Sequence, residues 1–278
     1  MTTPKDLAKI ADDIEAAAFR DMYAGAPPDL NSHLGLRYAL EGSATVLMAE
    51  GIPDPVFDRA IGLGNDGRAD ILLIDAIMLD YANAHIGQFW IHVNPVLAPR
   101  ELGAVLESKG FTFPKRRSWA KMVREANRQP EVETPLTVRE ALPHERVATS
   151  SAIAAAFGMP PPFARWIESL VSRPSWTMMT AIDIGGQRIA GGGLLFVEGE
   201  FAWLGLGGVL PDARRRNAHR AIMAARVSYA MERGCKYVVT ETGEPINNEP
   251  NPSLRNMYRL GFERVASRLN YASPLLLP

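Results

Sequence analysis

The order of elements between residues 176 and 272 constrains the fold of this chain more than any other feature. Three apolar runs, 176–184, 189–197 and 201–209, alternate well enough to be strands and are separated only by short turns that contain glycine. A helical pattern, a short strand, a second helix and a last strand follow them. This order predicts a mixed α/β sheet with helices on its faces.

A plainer version of the same order occupies the N-terminal half. A helix closed by Gly-Phe before a strand occurs at Gly110-Phe111 and again at Gly261-Phe262. Residues 126–135 are polar, contain two prolines and lack an apolar period, so they are a candidate linker. We therefore predict two tandem domains of the same fold, 1–130 and 131–278.

Composition excludes several classes of function. The 30 basic and 31 acidic residues leave a formal net charge of −1, which gives no electrostatic reason to expect binding to nucleic acid or to an anionic membrane. Cys235 is the only cysteine and the histidines show no metal-ligand spacing, so no disulfide or metal site is expected. No apolar run approaches the ~20 residues of a membrane span, and no signal peptide is evident. We expect a cytoplasmic protein.

The segment from Val209 to Arg220 is the most informative one for chemistry. A strand ends, a proline turns the chain, and Arg214, Arg215 and Arg216 open a predicted helix. Arginines oppose the positive end of a helix dipole, so such a cluster makes sense where an anion, typically a phosphate, neutralises it. A solvated helix start is the alternative, and the residues alone do not decide between the two.

The arrangement resembles the GNAT superfamily of N-acetyltransferases. In that family a strand ends in Val-x-Pro, and Arg-x-x-Gly-x-Gly/Ala then opens a helix that holds the pyrophosphate of CoA. Val209, Pro211 and Arg214 stand at the matching places, and the resemblance covers about residues 136 to 272. The two glycines are replaced by Asn217 and His219, so binding requires these side chains to turn away or to take part.

The resemblance implies an acyl-CoA donor, with acetyl-CoA as the expected one. The glycines around 207 suit a strand bulge that admits the pantetheine arm, or alternatively a packing need. The expected binding residues lie on this strand, in the arginine segment and on the last helix: Leu206, Gly207, Gly208, Val209, Arg214, Arg215, Arg216, Asn217, Ala218, His219, Ser253 and Asn256.

The catalytic residues are less well defined. At the place where the family often carries a tyrosine that protonates the leaving thiolate, this chain has Met257, and Tyr258 follows ~100° further around the helix. Tyr258 is our candidate acid, with a tyrosine packed by its ring as the alternative. Glu241, just past a predicted strand at 237–240, is the candidate base, with an ordinary polar loop residue as the alternative.

The sequence thus favours an N-acetyltransferase that transfers the acyl group directly to an amine, expected to be a small molecule. A non-catalytic acyl-CoA binder or sensor is the alternative. In the N-terminal half, the segment 63–70 lacks Val-x-Pro and has one arginine flanked by acids, so this copy is expected to be degenerate and not to bind CoA. A homodimer is compatible with the sequence, which does not determine the oligomeric state.

Overall fold

A computed structural model describes residues 2–183, 185, 187–247 and 249–276. They form a mixed α/β fold, which confirms the predicted class. The chain divides into two compact units. The first holds residues 1–121, 242–251 and 264–278, and the second holds residues 122–241 and 252–263.

The first unit contains four helices and the strands that pair beside them. Its elements are α1 (Pro4–Ala24), α2 (Pro28–Leu34), β1 (Leu36–Glu41), β2 (Ala44–Ala49), β3 (Arg59–Ile61), α3 (Ile71–Asn83), β4 (Trp90–Val93), α4 (Leu102–Ser108) and the start of β5 (Ser118–Glu125). Strand β11 (Glu263–Ala272) comes from the far end of the chain, and the pairing order is β1-β2-β3-β4-β11. Only the β3–β4 pair in this series is parallel.

A buried ionic cluster ties the last strand to the first unit. Glu15 of α1 pairs with Lys121 at 2.5 Å and with Arg268 of β11, and all three side chains have zero exposure. Removing one partner of such a cluster typically costs about 3–5 kcal/mol, because a buried charge is left unpaired. Residues 264–278 belong to the same compact unit as residues 1–121, whereas the division into domains 1–130 and 131–278 stays a prediction.

The second unit carries the strands predicted with most detail. Its elements are the end of β5, β6 (Thr137–Glu140), α5 (Arg146–Ala156), α6 (Pro161–Leu170), β7 (Trp176–Asp183), β8 (Arg188–Glu198), β9 (Phe201–Val209), α7 (Ala218–Glu232), β10 (Tyr237–Gly243) and α8 (Pro252–Arg259). The pairing order is β10-β9-β8-β7-β6, antiparallel except for β9 with β10. The predicted turn between β7 and β8 includes residues 184 and 186, which lie outside the described residues.

Two boundaries that bear on the candidate site differ from the sequence-based expectation. Helix α7 begins at Ala218 and not at Arg214, because Arg215 and Asn217 have the left-handed φ angles 63° and 59°. Strand β10 runs to Gly243, so Glu241 is a strand residue and not a loop residue. The candidate linker 126–135 contains no helix or strand, as predicted.

Candidate acyl-CoA site

The loop between β9 and α7 holds its arginines in an irregular backbone. A single 3₁₀ turn covers Pro211–Ala213, and Arg214 is extended at φ −65° and ψ 163°. Asn217, the residue before the helix, takes the left-handed conformation that the family's glycine would adopt at no cost. Asn is among the few other residues that tolerate it. The exchange of glycine for Asn217 is thus compatible with the loop.

The N-terminus of α7 is open toward an anion. Asn217 makes no side-chain cap, and its amide instead donates to the main-chain carbonyl of Glu133 at 3.0 Å. The first turn of the helix contains no acidic residue. The N–H groups of the first turn and the positive end of the dipole are therefore not neutralised by the helix itself.

A cleft of about 550 Å³ lies beside this helix end, within the second unit. Its lining includes ten of the twelve predicted binding residues: Gly207, Gly208, Val209, Arg214, Arg215, Asn217, Ala218, His219, Ser253 and Asn256. It also includes five residues that were not predicted: Ala156, Phe157, Pro252, Arg255 and Arg259. The structure thus brings the end of β9, the arginine loop and one face of α8 together around one space.

The cleft carries a strong positive charge. Arg214, Arg215, Arg255 and Arg259 line it, and no aspartate or glutamate does. Within the described residues, none of these four arginines forms an ion pair. Four unneutralised guanidinium groups around an open helix N-terminus suit a ligand with several phosphates.

The floor of the cleft is a bulge in β9. Gly192 pairs with Gly208, but Leu194 pairs with Gly205, so β9 has one residue more than β8 between these pairs. Leu206 takes the left-handed φ of 48° at this point. The bulge predicted from the glycines is confirmed, and it leaves Gly207 and Gly208 facing the cleft.

His219 joins the two helices that border the cleft. Its Nδ1 lies 3.3 Å from the side-chain amide nitrogen of Asn256, which donates to Nδ1 when the ring carries its proton on Nε2. Burial, and secondarily the charge of Arg226, lowers the pKa of His219 to about 4. The imidazole is therefore neutral at pH 7, and a polar side chain stands where the family has a glycine.

Four predicted residues lie outside the cleft lining. Arg216 pairs instead with Asp183 at 2.5 Å, and this bond holds the pKa of the Asp183 carboxyl below its ordinary value. Leu206 is the bulge residue itself. Glu241 is half-buried on β10, and Tyr258 is 49% exposed. Tyr258 is two residues from Asn256, or ~200° around the helix, and it does not line the cleft.

Sequence reasoning missed Arg255 and Arg259, although the signal was present. They are four residues apart and share a helix face with Pro252 and Asn256, at the i, i+3, i+4 spacing that places side chains together. Asn256 was already a candidate, and this spacing leads from it to Arg259 and from Arg259 to Arg255. Phe157 follows the end of α5, and no pattern in the sequence connects it to the cleft.

The described residues contain no group of three or more histidine, cysteine or acidic side chains placed to hold a metal ion. In the same residues, no helix is both long and apolar enough to cross a membrane.

Comparison with known proteins identifies the class. Residues 147–262 match the model of the Acetyltransferase (GNAT) family, so this part of the chain is a GNAT domain and the resemblance drawn from the sequence is confirmed. No curated protein matches the chain by sequence.

Solved structures show the same fold over most of the chain. A GCN5-related N-acetyltransferase from Kribbella flavida has a TM-score of 0.63 at 16% identity, covering 87% of this chain and 92% of its own. One from Sphaerobacter thermophilus has a TM-score of 0.62 at 17% identity, covering 86% and 82%. A tandem GNAT protein from the clavulanic acid biosynthesis pathway has a TM-score of 0.60 at 16% identity, covering 84% and 79%. These likenesses support the tandem arrangement at the level of fold.

Proposed function

We propose that this protein is an acyl-CoA-dependent N-acyltransferase that uses acetyl-CoA and acetylates a small-molecule amine. The observation that carries the proposal is the cleft, in which an uncapped helix N-terminus, the β9 bulge and four arginines without an ion pair among the described residues converge. The residues fit the donor: the charge and the free N–H groups suit its phosphates, and the glycine-lined floor suits a narrow arm with a thioester at its end.

Each part of the cleft has a role in this proposal. Arg214, Arg215 and the first turn of α7 bind the pyrophosphate, and Arg255 and Arg259 supply charge from the α8 side. The backbone N–H groups near Gly208 and Val209 polarise the thioester carbonyl. The amine nitrogen attacks that carbonyl carbon, a C–N bond forms, the C–S bond breaks, and CoA leaves as a thiolate that takes up a proton.

Proton transfer is assigned from the sequence, with the structure limiting the route. No carboxylate lines the cleft, so Glu241, our candidate base, would act on the amine through water. Tyr258 remains the candidate acid from the resemblance. Because Tyr258 does not line the cleft, we expect water to protonate the thiolate instead.

A panel of small amines tests the proposal, with thiol release from acetyl-CoA as the readout and mass spectrometry of the acceptor as confirmation. We expect turnover with at least one amine, and loss of it in Arg214→Ala/Arg215→Ala. The matched control is Arg216→Ala, which removes an arginine from the same loop but outside the cleft lining. Absence of both binding and turnover would refute the proposal.

The alternative is a non-catalytic acyl-CoA binder or sensor. Two observations favour it: His219 occupies a glycine position beside the cleft, and Met257, at the family's tyrosine position, is buried with 2% exposure. Tight binding of acetyl-CoA without turnover across the whole amine panel would decide for this alternative.

A further inference from the structure

A buried arginine lies directly behind the bulge that forms the floor of the cleft. Arg226 projects from α7 and is 2% exposed. Its Nη1 donates to the carbonyl of Leu194 on β8 and to the carbonyl of Gly205 on β9, both at 2.9 Å. Leu194 and Gly205 are the pair at which the normal register resumes after the bulge. One guanidinium therefore ties both strands at the edge of the irregularity.

The glycines of the bulge make room for this guanidinium. A Cβ added to Gly193 would lie 2.8 Å from Cζ of Arg226, and one added to Gly207 would lie 2.9 Å from Nη2. Real Cβ atoms essentially never approach that closely, so both positions exclude side chains while Arg226 stays in place. Part of the glycine content of β8 and β9 is thus explained by the arginine and not by the donor.

The charge of Arg226 has no acidic partner among the described residues. Its hydrogen bonds within the described residues are to main-chain carbonyls, including that of Ile222 in its own helix at 3.3 Å. Burial lowers the pKa of the guanidinium to about 9, which still leaves it charged at neutral pH. A buried cation without a counterion is costly, and such groups concentrate where function requires them.

We propose that Arg226 is a positioning residue of the transfer reaction: it fixes the β9 bulge, and its charge strengthens the polarisation of the thioester carbonyl by the N–H groups near Gly208 and Val209. The inference rests on the proposed function. The negative charge that develops on the carbonyl oxygen during attack would be stabilised by N–H groups that the bulge aims and by the cation behind them. Arg226 does not line the cleft, so it acts through the strand and not by contact with the donor.

The test compares variants that separate charge, shape and position. Arg226→Met keeps most of the stem and removes the charge, and Arg226→Lys keeps the charge but loses the fork that bonds two carbonyls. Gly193 does not line the cleft, and the methyl group added by Gly193→Ala displaces the guanidinium of Arg226. Arg233→Met makes the same chemical change at an exposed arginine just past the end of α7 and serves as the control.

Two readouts follow each variant. Acetyl-CoA labelled with ¹³C at the thioester carbonyl reports polarisation as a lowered infrared stretching frequency, and this measurement needs no acceptor. Steady-state kinetics separate kcat from KM. We expect Arg226→Met to bind acetyl-CoA within about 3-fold of wild type, to lose most of the frequency shift, and to lose about 100-fold in kcat, a loss typical of a misplaced reacting group. Arg226→Lys should recover part of both losses, and Gly193→Ala should show them with the charge retained.

Contrary results are equally well defined. An unchanged frequency shift and kcat in Arg226→Met would overturn the inference. So would parallel losses of melting temperature, donor affinity and kcat with no recovery in Arg226→Lys, because they would make the residue purely structural. If Arg226→Met does not fold, Arg226→Lys and Gly193→Ala decide by the same criteria. Wild type that binds donor without turnover refutes the transfer reaction, while the infrared shift still decides on Arg226. Wild type that does not bind acetyl-CoA refutes both proposals.

Discussion

In each unit a helix follows a loop, which is rich in glycine before α3 and rich in arginine before α7. The two helices differ in whether a side chain caps their N-terminus. At α3, the Asp70 carboxylate accepts the N–H groups of Leu72 and Leu73 at 2.9 and 3.2 Å. At α7, Asn217 makes no such cap and turns its amide toward a neighbouring carbonyl. The N–H groups at the start of α3 are therefore bonded by its N-cap side chain, whereas those at the start of α7 make no hydrogen bond with the N-cap side chain.

The surrounding charges follow the same division. The segment before α3 holds Arg68 between Asp66 and Asp70, so a phosphate there would meet two carboxylates. The cleft beside α7 is lined by four arginines and no acid. We propose that the chain keeps α3 as a structural helix and uses the start of α7 as a binding element. We propose that acetyl-CoA binds at α7 alone.

The largest expected effect comes from removing two arginines of the cleft beside α7. Arg214→Ala/Arg215→Ala should weaken acetyl-CoA binding by about 100-fold, because two charge-assisted contacts of roughly 1.5 kcal/mol each are lost. Isothermal titration calorimetry measures this directly. Arg216→Ala is the control and should leave the affinity nearly unchanged, since Arg216 is committed to Asp183. Equal losses in both would mean that the loop acts through its overall charge and not through the cleft.

The second effect concerns the backbone that keeps the α7 start open. Asn217→Ala forces an alanine into the left-handed conformation, at a cost of about 1–2 kcal/mol. The variant should therefore have a less stable loop, and its donor affinity should fall by up to ~10-fold. Asn217→Gly, which adopts this conformation freely, should retain wild-type affinity. Thermal unfolding with and without acetyl-CoA reports both. An alanine variant that binds as well as the glycine variant would contradict the role given to this conformation.

The third effect is a loss of stability at the capped start of α3. Asp70→Ala removes the cap of α3 and should cost about 1 kcal/mol, lowering the melting temperature by roughly 2–4 °C. Donor affinity should stay the same, because α3 does not take part in binding. Asp66→Ala, which removes an exposed carboxylate of the same loop that bonds only the N–H of Arg68, is the matched control. A gain of a second donor site in Asp70→Ala would show that the cap alone keeps α3 closed.

The smallest effect is expected at Tyr258, which does not line the cleft. Tyr258→Phe should change kcat by less than about 2-fold, because removal of a hydroxyl that touches neither donor nor cleft leaves the transition state unaltered. The measurement is the pH dependence of kcat across the alkaline range. A drop of 100-fold or more would restore Tyr258 as the acid.

Much of the fold could be predicted because its pattern is local. Strand β9 has the predicted bounds, since alternation and turns fix them within a few residues. The start of α7 could not be predicted, because the left-handed angles at Arg215 and Asn217 depend on the surrounding loop. Nor could the buried pairing of Arg268 on β11 with Glu15 on α1, because these residues are 253 positions apart and no local pattern connects them. Arg226 was missed for the same reason: its role is visible only when its partners on two strands are known.

The measurement that tests the central claim most directly is the stoichiometry of acetyl-CoA binding to the intact wild-type chain, determined by calorimetric titration. The difference between the two helix starts predicts one donor molecule per chain, bound about 100-fold more weakly in Arg214→Ala/Arg215→Ala. Two molecules per chain, or one molecule that binds the double variant with wild-type affinity, would show that donor binds outside the arginine cleft and would contradict the account.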